Sequence, residues 1–281
     1  IRVILTVATL CCSLTFGAYA NGTMDSGLLD FNGVTDTAGI QAVFQGTGYM
    51  AQDVFVNAKS DNTIKLIDSE AEFGKSIAIN NEGYAGLCIM ALGDSGMVKD
   101  NLAVEFSIKK SNTATKFGCN LENTKNGNAA HPFLLGNGNV QLCGEDVAAY
   151  DTNTWYDVKL ELNPVKDYAV LNLKKHSDDS WNTYVKFGFN NLWTGSKIDM
   201  SAGFNKTELG YLGADAETTC VDNIRYYTKE AGEITVLKDD FSEVPEIVTD
   251  NSSVTDAAKQ WRMYNKNKCT SITTKEVDGK Q

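Results

Sequence analysis

Trp155-Tyr156-Asp157-Val158-Lys159-Leu160-Glu161-Leu162 is the stretch of sequence that decides the fold of this chain. Apolar side chains occupy its even-numbered positions, and Asp, Lys and Glu lie between them. Side chains of a β-strand point to opposite faces with a period of two. The stretch therefore predicts a strand in a sheet that has one buried face and one solvated face.

A second run, Cys220-Val221-Asp222-Asn223-Ile224-Arg225-Tyr226-Tyr227, is predicted to be the strand that closes the same domain. The chain between Leu160 and Leu173 predicts a hairpin that turns at Pro164 to Asp167. Loops rich in Gly and Asn separate the strand-like segments. The pattern predicts an all-β chain folded as an antiparallel β-sandwich. Three more segments alternate with period two, namely Leu102–Ile108, Ala169–Leu173 and Val185–Phe189.

These runs resemble a known superfamily. The Trp-Tyr-Asp opening of residues 155–157 and the closing strand at residues 220–227 are similar to those of concanavalin A-like lectins and glucanases, which include LamG-type modules. The resemblance covers residues 24–236. It implies a jelly-roll sandwich, and it implies sugar binding as the class of function.

Sequence echoes predict a boundary near residue 237. Leu28-Leu29-Asp30-Phe31 is echoed by Leu237-Lys238-Asp239-Asp240-Phe241, and residues 34–38 are echoed by residues 254–258. We therefore expect a jelly-roll module at residues 24–236 and the truncated start of a second, similar module at residues 238–281. The second segment is too short to close a sandwich alone.

The first twenty residues predict a signal peptide. Residues 1–16 are mostly apolar, and Ala18-Tyr19-Ala20 is a small-x-small cleavage site. This apolar stretch is too short for a stable membrane span. The net charge of −11 argues against nucleic acid as a partner, because phosphate binding needs a basic surface. We expect a secreted or cell-surface protein.

The cysteines leave two interpretations open. Cys88, Cys119, Cys143 and Cys220 fall in the main module. Their even number permits two disulfides in an oxidising compartment. They are equally well explained as small buried apolar side chains.

No catalytic residue is predicted. The Glu-x-Asp-x-x-Glu strand of laminarinase-like glycosidases is absent, although Asp68, Glu70 and Glu72 would share a face if their segment were extended. Polysaccharide lyases use a Tyr or His base. The available histidines, His131 and His176, lie in polar surroundings that predict surface positions.

Sugar binding needs aromatic faces for stacking on pyranose rings. Trp181 and Trp193 stand beside loop-like polar residues, and Tyr184 lies close by in sequence. We predict these three as ligand-binding residues. Trp155 opens a core strand and is predicted to be structural.

A structural calcium site is also predicted. Asp222 is expected on the same face as Ile224 and Tyr226, where its carboxylate needs a partner. In the jelly rolls that the chain resembles, an Asp in this strand often binds Ca²⁺ with groups near the amino-terminal strand, here Asp30. Pairing with a lysine or a backbone amide is the alternative.

Taken together, the sequence predicts an exported, non-catalytic carbohydrate-binding or surface-adhesion module of a larger multidomain protein. The ligand would be a polysaccharide or a cell-surface glycan. The alternative is a diverged glycoside hydrolase or polysaccharide lyase that acts on an extracellular polysaccharide.

Overall fold

The computed structural model describes residues 24–60, 63–80, 83–93, 96–212, 217–229, 246–248 and 260–262. The chain divides into two compact units, residues 1–232 and 233–281. In the second unit the described residues form two short parallel strands, β15 (Glu246–Val248) and β16 (Gln260–Arg262). The predicted signal peptide and most of the predicted second module lie outside the described residues.

The first unit is built from short strands, and its described part contains one helix, α1 (Thr37–Gly46). The side chain of Asp36 accepts a hydrogen bond from Gly39 N–H and so caps the start of this helix. The strands are β1 (Phe55–Val56), β2 (Ile64–Asp68), β3 (Lys75–Asn80), β4 (Ala85–Ala91), β5 (Asn101–Lys110), β6 (Lys116–Asn123), β7 (Asn128–Gly136), β8 (Asn139–Leu142), β9 (Glu145–Ala149), β10 (Tyr156–Asn163), β11 (Tyr168–Lys175), β12 (Asn182–Phe187), β13 (Lys206–Leu212) and β14 (Thr218–Lys229).

Two seven-stranded antiparallel sheets form a sandwich. Sheet 1 has the order β12-β11-β10-β5-β14-β3-β2, and sheet 2 has the order β1-β4-β13-β6-β7-β8-β9. The prediction of an all-β antiparallel sandwich of the jelly-roll type is confirmed. None of the helices in the described part of the chain is long and apolar enough to cross a membrane.

The predicted strand at residues 155–162 is β10, in the middle of sheet 1. Val158 lies opposite Phe106 of β5 and Leu173 of β11, and all three are buried between the sheets. The hairpin from β10 to β11 turns at residues 164–167, as predicted. The side chains that alternate with Val158 in β10 lie on the outer face of sheet 1.

A β-bulge in β14 corrects the predicted face of Asp222. Asp222 pairs with Ser107, and two residues, Asn223 and Ile224, then oppose Phe106 before pairing resumes at Arg225. The extra residue shifts the alternation. Asp222 therefore lies on the outer face of sheet 1, whereas Ile224 faces the core.

In β12 the alternating apolar residues Val185 and Phe187 do not mark the face that packs on the core. Tyr184 pairs with Leu171 and packs against the core, whereas Phe187 is 59% exposed. Because β12 is the edge strand of sheet 1, its apolar alternation is not a reliable sign of which side is buried.

Candidate functional site

Trp193 is the most exposed large apolar side chain among the described residues, with 69% of its surface accessible. It lies in the loop between β12 and β13. The side-chain oxygen of Asn191 accepts hydrogen bonds from the backbone N–H groups of Trp193 (2.9 Å) and Thr194 (3.2 Å). The Asn191 amide nitrogen donates to the carbonyl of Ala129 in β7 (3.0 Å). The indole is thus displayed to solvent by a backbone that is held in place.

His131 of β7 fixes the same loop through two hydrogen bonds. Its backbone N–H donates to Asn190 O (2.9 Å), and its Nδ1 accepts the backbone N–H of Leu192 (3.1 Å). The side chain is buried, which corrects the predicted surface position. Burial lowers the pKa of His131 to about 4, although the charge of Glu208 acts in the opposite direction. At neutral pH His131 is therefore an uncharged hydrogen-bond acceptor.

A polar network lies on the outer face of sheet 2, beside His131. Glu208 of β13 pairs with Asn120 of β6, and the two side chains share the face opposite the core. Nδ2 of Asn120 donates to Oε1 of Glu122 (2.8 Å) and is 3.4 Å from Oε2 of Glu208. The hydroxyl of Tyr84 also donates to Glu208.

A row of glycines gives Tyr84 room to reach Glu208. Gly86, Gly210 and Gly118 are direct neighbours across β4, β13 and β6. A Cβ atom on Gly210 would lie 3.8 Å from Cζ of Tyr84. Because Gly210 carries no side chain, the Tyr84 ring can lie beside it. Burial, followed by the charge of Glu208, raises the pKa of Tyr84.

Lys206 holds two carboxylates together in this network. Its ammonium lies 2.5 Å from Oε1 of Glu208 and 3.0 Å from Oε2 of Glu122. Burial alone would lower the pKa of Lys206, but its bonds to the two carboxylates raise it. The Glu208 side chain is 1% exposed and that of Glu122 is 26% exposed. Glu122, Lys206 and Tyr84 are partly exposed, whereas Glu208 is closed to solvent. This network was not predicted, since its members are far apart along the chain and Lys206 and Glu208 occupy ordinary polar positions in the alternation of β13.

Trp181 lies on the outer face of sheet 1, away from this network. Its ring is flanked by the ammonium groups of Lys159 (5.1 Å from the ring centroid) and Lys174 (5.4 Å). Its exposed fraction is 37%. Cations over an indole face stabilise it but occupy the surface that a sugar would stack on. Tyr184 lies on the core-facing side of β12, so the structure does not bring the three predicted ligand-binding residues together.

Trp155 is structural, as the sequence analysis predicted. Its ring stacks on Phe73 at a centroid distance of 4.0 Å, and its indole N–H donates to Oε2 of Glu70 (2.6 Å). Together with Cys220 it belongs to a small apolar cluster on the outer face of sheet 1.

The acidic cluster at residues 68–72 has no catalytic geometry. Strand β2 ends at Asp68, and residues 71–73 form a turn, so the segment is not extended. Burial alone would raise the pKa of Glu70, but hydrogen bonds from Lys109, Trp155 and Ser69 lower it to about 2. Glu70 is therefore ionised near neutral pH and cannot act as a general acid there.

The second histidine, His176, is partly exposed. Its Nδ1 lies 2.9 Å from Oδ1 of Asp157, which also accepts a hydrogen bond from the hydroxyl of Ser107 (2.8 Å). The Asp carboxylate lies between the hydroxyl and the imidazole, so this is not the order of a nucleophilic triad, in which the imidazole contacts the hydroxyl.

Asp222 is buried, with 2% of its surface exposed. It accepts hydrogen bonds from Asn223 N–H (2.7 Å) and from the hydroxyl of Ser76 (3.3 Å), neither of which is charged. Burial is the main cause that raises the pKa of Asp222 to about 6; the negative charge of Asp30 acts in the same direction, and the two hydrogen bonds act against it. The sequence predicts a calcium site at Asp222 and Asp30, since Ca²⁺ takes oxygen ligands. Within the described ranges, however, no cluster of three or more His, Cys, Asp or Glu side chains could hold a metal.

The four described cysteines are free and buried. Burial raises the pKa values of the Cys88, Cys119 and Cys143 thiols to about 12. The four cysteines are therefore small buried side chains in this structure, and they do not form the two disulfides that the sequence permitted.

Comparison with family models and with curated proteins finds no match. Three solved structures show a similar fold. A sialidase has 10% identity and a TM-score of 0.46 over 72% of this chain, which spans 18% of that protein. The catalytic domain of a glycoside hydrolase family 131 protein from Coprinopsis cinerea has 13% identity and a TM-score of 0.44, covering 76% of this chain and 97% of that one. Arcelin-5, a lectin-like defence protein from Phaseolus vulgaris, has 8% identity and a TM-score of 0.39, covering 65% and 95%. The likeness to these three structures is one of fold only.

Proposed function

We propose that this chain is an exported, non-catalytic carbohydrate-binding or surface-adhesion module, and that Trp193 is its main sugar-stacking surface. The observation that carries the proposal is the combination of 69% exposure of the Trp193 side chain with the hydrogen bonds that fix its loop. An exposed indole on a fixed backbone loses little conformational entropy on binding. Its apolar face suits the C–H surface of a pyranose ring.

The polar network supplies hydrogen-bonding groups on the same side of the sandwich. Ala129 pairs with Glu122 in the sheet, and its carbonyl accepts the bond from Asn191 of the loop. The loop therefore lies next to the strand position from which the Glu122 carboxylate reaches the surface. Carboxylate and ammonium groups at a rim are suited to binding sugar hydroxyls.

The proposal also covers the two ends of the chain and the buried carboxylate of Asp222. We propose that residues 1–20 direct export, that residues 238–281 begin a second module of a multidomain protein, and that Asp222 and Asp30 hold a structural Ca²⁺. The network of Asp222 supports the last point, because both hydrogen-bond donors to this buried carboxylate are uncharged. In this account Tyr184 and Trp155 are structural residues.

A glycan array probed with the full chain tests the function, and Trp193→Ala tests the site. We expect binding to at least one glycan, and a loss of about tenfold or more in affinity for the variant, since stacking on one aromatic ring contributes on the order of 1–2 kcal/mol. Trp181→Ala is the matched control, because this tryptophan lies on the other sheet. Binding that is lost in Trp181→Ala but kept in Trp193→Ala would move the site to sheet 1. Capture of proteins but of no glycan would contradict sugar binding.

One observation favours an enzyme as the second candidate. Glu208 and Glu122 lie on neighbouring strands and contact the same ammonium, so two carboxylates lie close together, as hydrolysis by a retaining glycosidase requires. Against this, Lys206 forms an ion pair with both groups, and the Glu208 side chain is only 1% exposed. Reducing-sugar release over a polysaccharide panel, absent in Glu208→Gln and Glu122→Gln, would favour the enzyme.

A further inference from the structure

We propose that His131 is the positioning residue of the Trp193 loop, and that protonation of His131 at its Nδ1 atom loosens this loop. The loop is defined here as residues 190–196. The consequence for ligand binding rests on the proposed function, whereas the loosening itself does not.

The hydrogen bond from Leu192 fixes the state of the His131 ring. A backbone N–H can only donate, so Nδ1 must carry a lone pair, and the neutral ring then holds its proton on Nε2. With 5% of its surface exposed, His131 cannot exchange this partner for water without movement of the loop. The bond links the residue immediately before Trp193 to the sheet.

Protonation of Nδ1 converts the acceptor into a donor that faces a second donor. The Leu192 N–H then loses its partner, and an imidazolium is left in a buried position. Two other links join the loop to β7, from Asn191 to Ala129 O (3.0 Å) and from His131 N–H to Asn190 O (2.9 Å). We therefore expect the loop to loosen around Leu192 and Trp193 while the sheet stays intact.

The groups around His131 influence the pH at which its Nδ1 atom is protonated. Glu208 of β13 is the charged group that acts on the ring, and it favours the imidazolium; Glu208 is itself paired with Lys206. On β6, the strand paired with β7, Asn120 lies opposite residues 131 and 132, and Cys143 follows β8, where its N–H donates to Pro132 O. The loop itself contains no titratable side chain. Burial is the larger influence and holds the pKa near 4.

Tryptophan fluorescence across an acid titration tests the proposal with the full chain. We expect the signal that is present in the wild type and absent in Trp193→Phe to change with a midpoint near pH 4. In His131→Asn the side-chain oxygen keeps an acceptor for Leu192 but does not titrate, so this signal should stay flat. His176→Asn is the matched control and should leave the midpoint unchanged.

Amide exchange at neutral pH gives a second readout. In His131→Phe the acceptor is missing at every pH, so exchange at Leu192 should be faster than in the wild type by about tenfold or more, with core amides of β10 unchanged. His131→Asn should restore protection. A transition that persists in His131→Asn, a flat wild-type signal, or a wild-type signal that changes only with global unfolding would overturn the proposal.

These readouts need no ligand, so they are separate from the test of function. Glycan binding without any acid transition of Trp193 would leave the proposed function standing and refute the role of His131. An acid transition of Trp193 in a chain that binds no glycan would support the role of His131 and refute the proposed function.

Discussion

The ammonium group of Lys110 lies 2.9 Å from the carboxylate of Glu217, and the two side chains are 1% and 0% exposed. This ion pair joins the end of β5 to the start of β14. Lys110 also donates to the carbonyl of Thr115 (2.6 Å), and Thr115 N–H donates to Glu217 (3.1 Å). Burial lowers the pKa of Lys110, whereas Glu217 raises it. Each of these two buried charges is therefore stabilised by the other.

Replacing Glu217 by Gln is expected to reduce the free energy of unfolding by about 3–5 kcal/mol, because it leaves a buried ammonium without its counter-charge. Urea unfolding measures the change. Glu145→Gln is the matched control, since its pair with Lys186 is exposed and should contribute less than about 1 kcal/mol. Equal effects in the two variants would show that the buried pair has no special role.

Trp155 and Trp193 should differ in how much they contribute to the free energy of unfolding. Trp155→Ala removes the ring that stacks on Phe73 and should reduce the free energy of unfolding by about 3–5 kcal/mol. Trp193→Ala should change it by less than about 0.5 kcal/mol. Urea unfolding of both variants is the measurement. If the Trp193 variant were as unstable as the Trp155 variant, its binding data would not report on a surface contact.

The sequence predicted the sandwich because the inner strands alternate strictly. In β10 the alternation of Val158 and Leu160 with Lys159 matches burial and exposure directly. It failed where local geometry breaks the period, as in the bulge after Asp222, and at the edge strand that carries Tyr184. The outer-face network was not predictable, since the burial of Glu208 depends on strands that the sequence does not show to be neighbours.

The stability of the protein should depend on pH through His131. Burial lowers its pKa from 6.5 to about 4, so folding favours the neutral ring. The corresponding stability is complete above about pH 6.5 and is lost as the pH falls from there to about 4, up to a limit on the order of 3 kcal/mol. Urea unfolding at several pH values measures it.

His131→Asn should flatten this dependence. Asp222 acts with the opposite sign, because its pKa is raised from 3.8 to about 6 and its contribution is lost as the pH rises through that range. The difference between the wild type and His131→Asn isolates the histidine. Identical pH profiles for the two proteins would contradict the assignment.

Calcium should raise the melting temperature if it binds at Asp222 and Asp30. Saturating Ca²⁺ stabilises a folded state by about 3 kcal/mol at one hundred times the dissociation constant. Asp222→Asn should abolish this gain while keeping the hydrogen bonds to Asn223 and Ser76. Thermal melts with Ca²⁺ and with a chelator are the measurement, and Asp199→Asn is an exposed control. A gain that survives in Asp222→Asn would place the ion elsewhere.

The account depends most on Trp193 as a sugar-binding surface. The most direct measurement is calorimetric titration of the full chain and of Trp193→Ala with the best glycan from an array, with Trp181→Ala as the control. The account predicts binding by the wild type and by Trp181→Ala, and a loss of about tenfold or more in Trp193→Ala. Equal affinities for all three proteins, or no binding by the wild type to any glycan, would contradict it.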